Sequence, residues 1–190
     1  MNSFFLAEIF LALTILLLVF LFSMVWPPDS PWSPWWRTSK EVARRMCKLG
    51  DVTEKDVIYD LGSGDGTALR VAAREQGARG VGLEIDPFRV WTARLLNRLC
   101  GASGKIRIER QNFFKRDISE ASVVFVYLIP RALMQLEEKM KNELKPGTRV
   151  ISYIYRIPYL TLQKEDKENH IFVYRISPTS RGSRTGRSGS

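Results

Sequence analysis

"VIYDLGSGDG", residues 57–66, is the stretch on which the reading of this chain turns. Val57, Ile58 and Tyr59 form an apolar, strand-forming run. The next seven positions, Asp60 to Gly66, hold three glycines and two aspartates. A glycine-rich turn directly after a strand lets the backbone approach a ligand closely. A P-loop needs G-x-x-x-x-G-K-[ST], and this turn has no lysine. A dinucleotide fingerprint needs G-x-G-x-x-G; Gly62 and Gly64 fit its first two positions, but the third falls on Thr67. The acids would repel a pyrophosphate. They suit a ligand that is cationic and rich in hydroxyls.

Outward from this turn, strand and helix patterns alternate. Thr38 with Glu41 three residues later is a capping-box pattern and predicts a helix over 38–50, with Thr38 as its cap. "KDVIYDLG" reads as a strand, "TALRVAAREQG" as a helix and "GVGLEI" as a second strand. Asp86-Pro87 opens a further helix as N-cap and first residue. Phe88, Trp91, Leu95 and Leu99 recur on one side of that helix and read as its inward face. "IRIER" and "ASVVFVYLI" are a third and fourth strand, followed by one helix over "PRALMQLEEKMKNEL". "PGTRVISYIY" and "HIFVYRI" give a fifth and sixth strand. Thr161 to His170 is short and polar, which reads as a connection that leaves the sheet a strand short. The alternation predicts an α/β fold, a mostly parallel sheet with helices on both faces and ligands at the carboxyl ends of the strands.

A ligand with an α-ammonium, a sulfonium and a ribose diol, and no phosphate, meets the demand of the acids: S-adenosyl-L-methionine. "DLGSGDG" resembles motif I of the Rossmann-like class I methyltransferases. That resemblance implies cofactor contacts from Asp60, Gly62, Ser63, Gly64, Asp65, Gly66 and Thr67. It implies a ribose-binding acid at Glu84, past the second strand, because a carboxylate accepts hydrogen bonds from both hydroxyls. It implies adenine contacts from Asn112 and Phe113, past the third.

A closer resemblance runs from about Arg37 to Pro158. "VIYDLGSGDG", "GVGLEIDPFRVWTARLL" and "VYLIPRALMQLEEKMKNELKPGTRVIS" look like the membrane-anchored protein lysine methyltransferases, among them those of the ADP/ATP translocase and the ATP synthase c-ring protein. The resemblance implies N-methylation of lysine on a membrane-associated protein. The family usually has an acid after the third strand, where Asn112 stands here. Tyr127, past the fourth strand, would orient the target amine as the catalytic residue; its plain alternative is a half-buried strand aromatic. Tyr153 and Tyr155 are weaker candidates on one face of the fifth strand. Two other functions stay open: a lipid or small-molecule methyltransferase, and a nucleic-acid methyltransferase using a basic face of Arg89, Arg94 and Arg98. Nucleic acid is not the expected partner. A cofactor sensor without catalysis is the remaining reading.

Phe4 to Trp26 is apolar except for Glu8, Thr14 and Ser23, and as a helix would reach about 35 Å. It reads as an uncleaved transmembrane anchor, residues 1–26, rather than a signal peptide, which would want a basic start. A Pro/Trp-rich linker follows over 27–36, with Trp32, Trp35 and Trp36 at headgroup level. Arg37, Lys40, Arg44, Arg45 and Lys48 mark the cytoplasmic side. The expectation is thus a single-pass protein, partnered by the bilayer, with a cytoplasmic catalytic domain over 37–176. A basic, Ser/Gly-rich tail occupies 177–190. The cluster accounts for part of the net charge of +9. One histidine and two cysteines without C-x-x-C spacing give little support to metal or nucleophilic chemistry; Cys47 and Cys100 read as buried free thiols.

Overall fold

A computed structural model of the chain describes residues 3–25 and 36–178, with side chains from 5–19 and 36–178. The chain divides into two compact units, Met1–Trp36 and Arg37–Ser190. In the first, helix α1 runs Ser3–Val25, and the Thr14 hydroxyl donates to the Phe10 carbonyl at 2.8 Å. Among the described residues no helix is long and apolar enough to cross a membrane. This overturns the expected transmembrane anchor and the single-pass, cytoplasm-facing placement built on it. The basic cluster has another use: Arg44 pairs with Glu75 at 3.0 Å, and Arg45 with Glu41 at 3.4 Å and Asp166 at 3.7 Å. Those charges serve ion pairs within the second unit. Trp32, Trp35 and the tail from Thr179 lie outside the described residues.

The second unit is built on a seven-stranded sheet. Its elements are α2 Lys40–Leu49, β1 Val57–Leu61, α3 Thr67–Glu75, β2 Arg79–Glu84, α4 Pro87–Leu99 and β3 Ile106–Arg110. Then come β4 Val123–Val126, α5 Pro130–Gln135, α6 Glu137–Glu143, β5 Arg149–Tyr153, β6 Leu162–Asp166 and β7 Ile171–Arg175. The strand order is β3-β2-β1-β4-β5-β7-β6. Pairing is parallel from β3 through β5, and β7 is antiparallel to both its neighbours. The order turns back at β1, whose neighbours are β2 and β4. That is the switch point where such sheets leave a crevice past their carboxyl ends. Apolar residues cover both faces of the sheet, Ile58, Phe125 and Ile151 on the α2–α3–α4 side and Tyr59, Val124 and Val150 on the α5–α6 side.

Several local expectations change. Thr161 to His170 contains β6, which pairs with β7, so the sheet is not a strand short. Ser39, not Thr38, caps α2, accepting from the Val42 amide at 3.1 Å. The three-residue reach of a cap, measured back from Val42, ends at Ser39. The helix expected over 130–144 breaks at Leu136, whose amide is shared between the Ala132 and Leu133 carbonyls at 3.2 and 3.1 Å. Leu133, Leu136, Met140 and Leu144 remain buried on one side.

Helix α4 is turned the other way. Its buried residues are Arg89, Val90, Ala93 and Asn97, while Phe88, Trp91, Leu95 and Leu99 are exposed. The reason is the close approach to the loop after β1: a Cβ on Gly66 would stand 3.5 Å from that of Ala93. A larger side chain at position 93 would push the helix off the loop. This rotation also breaks the expected basic face, since Arg89 is buried and Arg94 donates to the Ile108 carbonyl at 2.7 and 3.0 Å. Cys47 is buried, but Cys100, at the end of α4, is exposed.

Candidate active site

The loop Gly62–Gly66 leaves β1 with all three of its glycines in the left-handed region, at φ 85°, 54° and 77°. Only glycine adopts that conformation without strain, so the loop turns sharply enough to begin α3 at Thr67. The amides of Gly62 and Ser63 both donate to the Leu83 carbonyl, at 2.9 and 3.1 Å, which ties the loop to the end of β2.

Glu84 sits at that end, buried. One carboxylate oxygen accepts from the Gly64 amide at 2.9 Å. The other accepts from the amides of Ile85 and Asp86 at 2.9 and 3.0 Å. Three of the roughly four acceptor positions of a carboxylate are used, which fixes the group and leaves one direction open. The same residue's carbonyl accepts from Gln111 past β3 at 2.9 Å, so three strand ends are joined around it.

Asp60 is buried beneath the loop. Burial, then the charges of Glu84 and Asp65, push its carboxyl up to about 7. Buried acids gathered in this way are relieved by a cation. Asp65 is held in place instead: it accepts from the Thr67 amide and hydroxyl at 3.0 and 2.7 Å and pairs with Arg37 at 2.9 Å. Arg70 braces the loop from below, donating to the Asp65 carbonyl and, at 3.0 Å, to the Thr67 hydroxyl. Its third bond, 3.3 Å to Asn97, joins α3 to α4. Ser63 points under the loop toward Gly82; its hydroxyl is buried without a hydrogen-bond partner among the described residues.

Past β3, the Asn112 side-chain oxygen accepts from the Phe114 amide at 2.9 Å, shaping its own turn, and Phe113 packs on Phe114 with ring centroids 4.5 Å apart. Past β4, Tyr127 is half-buried and meets Tyr153 edge-on at 4.7 Å between centroids. Burial, with Tyr153 and Tyr155 nearby, raises the Tyr127 hydroxyl above its ordinary pKa, so it is a neutral phenol at physiological pH. The backbone between the other two tyrosines is unusual: Ile154 has φ 72°, rare for a β-branched residue. The Ser152 hydroxyl donates to the Tyr155 carbonyl at 2.5 Å across this kink. Tyr155 is thereby carried off the strand's alternation and lies exposed, while Tyr153 packs on the core.

The loop residues and Glu84 are thus assembled by direct hydrogen bonds, whereas Asn112, Phe113 and Tyr127 stand at neighbouring strand ends. Arg70 escaped the sequence reading, and Arg37 was read only as part of the basic cluster. Arg70 had a signal, an arginine inside the otherwise apolar stretch Ala68–Ala73. Arg37 had none, since its partner is distant in sequence.

Comparison with known proteins agrees with this geometry. The ANTKMT methyltransferase domain family matches residues 60–164. A protein-lysine N-methyltransferase of Saccharolobus islandicus is 36% identical over 156 residues, covering 80% of this chain and 95% of its own. The adenine nucleotide translocase lysine N-methyltransferase of Mus musculus is 37% identical over 102 residues, covering 53% of this chain but 44% of its own length. A crystal structure described as an RNA methyltransferase from Salinibacter ruber, in complex with S-adenosyl-L-homocysteine, is 39% identical. It superposes with a TM-score of 0.73 over 75% of this chain and 95% of that one. On the strand order, the loop and these matches, the chain belongs to the ANTKMT methyltransferase-domain family of class I, S-adenosylmethionine-dependent protein-lysine N-methyltransferases.

Proposed function

We propose that the protein transfers a methyl group from S-adenosyl-L-methionine to the side-chain amine of lysine in a membrane-associated protein, with its catalytic domain over residues 37–176. The observation that carries this is the pair of buried carboxylates, Asp60 and Glu84, on either side of a loop with three left-handed glycines. Bound there, the cofactor supplies an electrophilic methyl on a sulfonium. Asp60 offers negative charge to its cationic end, while Asp65, paired with Arg37, shapes the loop around it. The open acceptor of Glu84 faces the ribose diol. Gly62, Gly64 and Gly66 let the backbone approach, Thr67 and Ser63 hold the loop's shape, and Asn112 and Phe113 flank the base.

The lysine amine must arrive neutral, although its unperturbed pKa is about 10.4. A half-buried aromatic setting disfavours the ammonium form. As a neutral phenol, Tyr127 accepts one amine N–H and turns the nitrogen lone pair toward the methyl; orientation of this kind accounts for most of what positioning contributes. The membrane-associated substrate rests on the mouse relative, whose name specifies the adenine nucleotide translocase.

The Salinibacter ruber description favours RNA as a second reading. One experiment separates the two. The full chain is incubated with methyl-labelled cofactor and a membrane fraction, with total RNA added in a parallel arm. Label recovered as methyl-lysine after acid hydrolysis of the protein supports the proposal; label in RNA or lipid extract refutes it. Glu84→Gln should lose affinity for S-adenosyl-L-homocysteine by about tenfold or more. Tyr127→Phe should keep that affinity and lower kcat by at least about tenfold. An unchanged kcat would return Tyr127 to the core.

A further inference from the structure

The outward face of α4 is unlike a soluble helix surface. Phe88, Trp91, Leu95 and Leu99 are 46%, 60%, 39% and 73% exposed. Their spacing of three, four and four residues lines them into one stripe about 16 Å long. Phe88 and Trp91 sit 6.1 Å apart between ring centroids. Two further exposed residues, Arg94 and Arg98, flank the stripe, and α4 contains no acid. Beside it, Lys105 and Arg110 are exposed at the two ends of β3. A contiguous apolar stripe of this size marks an interaction surface.

We infer that this face of α4 docks on an anionic phospholipid bilayer surface, with the helix lying in the interface plane. Aromatic and leucine side chains enter the headgroup boundary, while Arg98 reaches anionic headgroups and Arg94, held at the Ile108 carbonyl, adds its charge to the face. Charge decides between the occupants. A second copy placed on this face by two-fold symmetry would set Arg94 and Arg98 against their own counterparts with no carboxylate between them. A nucleic acid would satisfy the arginines but leave Leu95 and Leu99 against phosphate and sugar. The inference concerns a surface away from the methyl-transfer residues, and the stripe begins two residues past Asp86, whose amide is bound by Glu84. Docking would therefore bring the cofactor side of the sheet to the membrane.

The test uses the full chain with Trp26, Trp32, Trp35 and Trp36 changed to Phe, leaving Trp91 as the sole tryptophan. Helix α1 carries no tryptophan, so lipid contact by α1 gives no signal of its own. Phosphatidylcholine vesicles containing phosphatidylserine should shift Trp91 emission to the blue and allow quenching by brominated chains. Phosphatidylcholine alone should do neither, and high salt should reverse the effect. Arg98→Glu should raise the lipid concentration needed by about tenfold, and Leu99→Ser should raise it likewise. Both are surface changes, and retained S-adenosyl-L-homocysteine affinity verifies the fold separately from the methyl-transfer reading. Silence of Trp91 toward anionic vesicles overturns the inference. So does a shift that follows protein concentration without lipid, or one produced by RNA alone.

Discussion

At Gly82 a single methyl group decides whether the loop can close on β2. A Cβ there would stand 2.6 Å from the Ser63 hydroxyl oxygen, 2.8 Å from the Ser63 Cβ and 2.7 Å from the Ile108 Cδ1. Ser63 cannot move aside freely, because its amide and that of Gly62 are bonded to the next residue, Leu83. Gly82→Ala should therefore cost about 1–3 kcal/mol of stability by overpacking. It should also weaken S-adenosyl-L-homocysteine binding by tilting the loop. Urea unfolding and calorimetry check the two effects, and loss of stability with full affinity would show that the loop is independent of β2. In the sequence this glycine looks like an ordinary member of a strand, since the side chain that needs its space comes from another element.

At the level of elements, the crossover from β5 to β6 is held by two tyrosines. The buried Tyr174 of β7 accepts from the Ile157 amide at 2.9 Å, and Tyr159 donates to the Leu133 carbonyl of α5 at 2.7 Å. These bonds anchor the segment whose first residues are the kinked Ile154 and Tyr155, beside Tyr127. Tyr174→Phe leaves a buried amide without its acceptor and should cost about 1–3 kcal/mol. Amide exchange at Ile157 should accelerate, with exchange in β1 and β4 changed less. Uniform acceleration would show that the crossover does not open by itself.

For the whole molecule, two buried carboxylates act on stability in opposite directions. The Asp60 carboxyl is raised to about 7 in the folded state, against about 3.9 unfolded. Between these values the folded protein holds a proton that the unfolded chain has released, so stability falls as pH rises toward about 7. Asp56 lies at the other end of the sheet. Burial pushes its carboxyl up, but hydrogen bonds from Ser122 and Thr53 and the Arg149 charge outweigh that and hold it below its ordinary value. Its contribution is present above the unfolded pKa and lost as pH falls through the folded one. The cofactor-free protein should thus be most stable near about pH 4, weakening on both sides. Asp60→Asn should flatten the upper limb and add about 1 kcal/mol or more near pH 8, while weakening cofactor binding. Denaturant midpoints across pH check this; an unaltered limb in Asp60→Asn would assign it to other groups.

The amino-acid sequence by itself determined the β1 turn, its acids, Glu84 and the succession of strands and helices. Each depends on neighbours within a few residues: glycines that alone tolerate positive φ, and a strand that must end before them. Tertiary structure decided the rest. Phe88, Trp91, Leu95 and Leu99 have the periodicity of a core face, yet α4 buries Ala93 and Asn97, because contact with Gly66 admits only a small side chain. The largely polar residues 162–166 became strand β6 because β7 offers them an edge to pair with. Arg37 left the basic cluster for Asp65. Periodicity reports which residues share a side of an element, whereas the side that is buried depends on shapes brought together from distant parts of the chain.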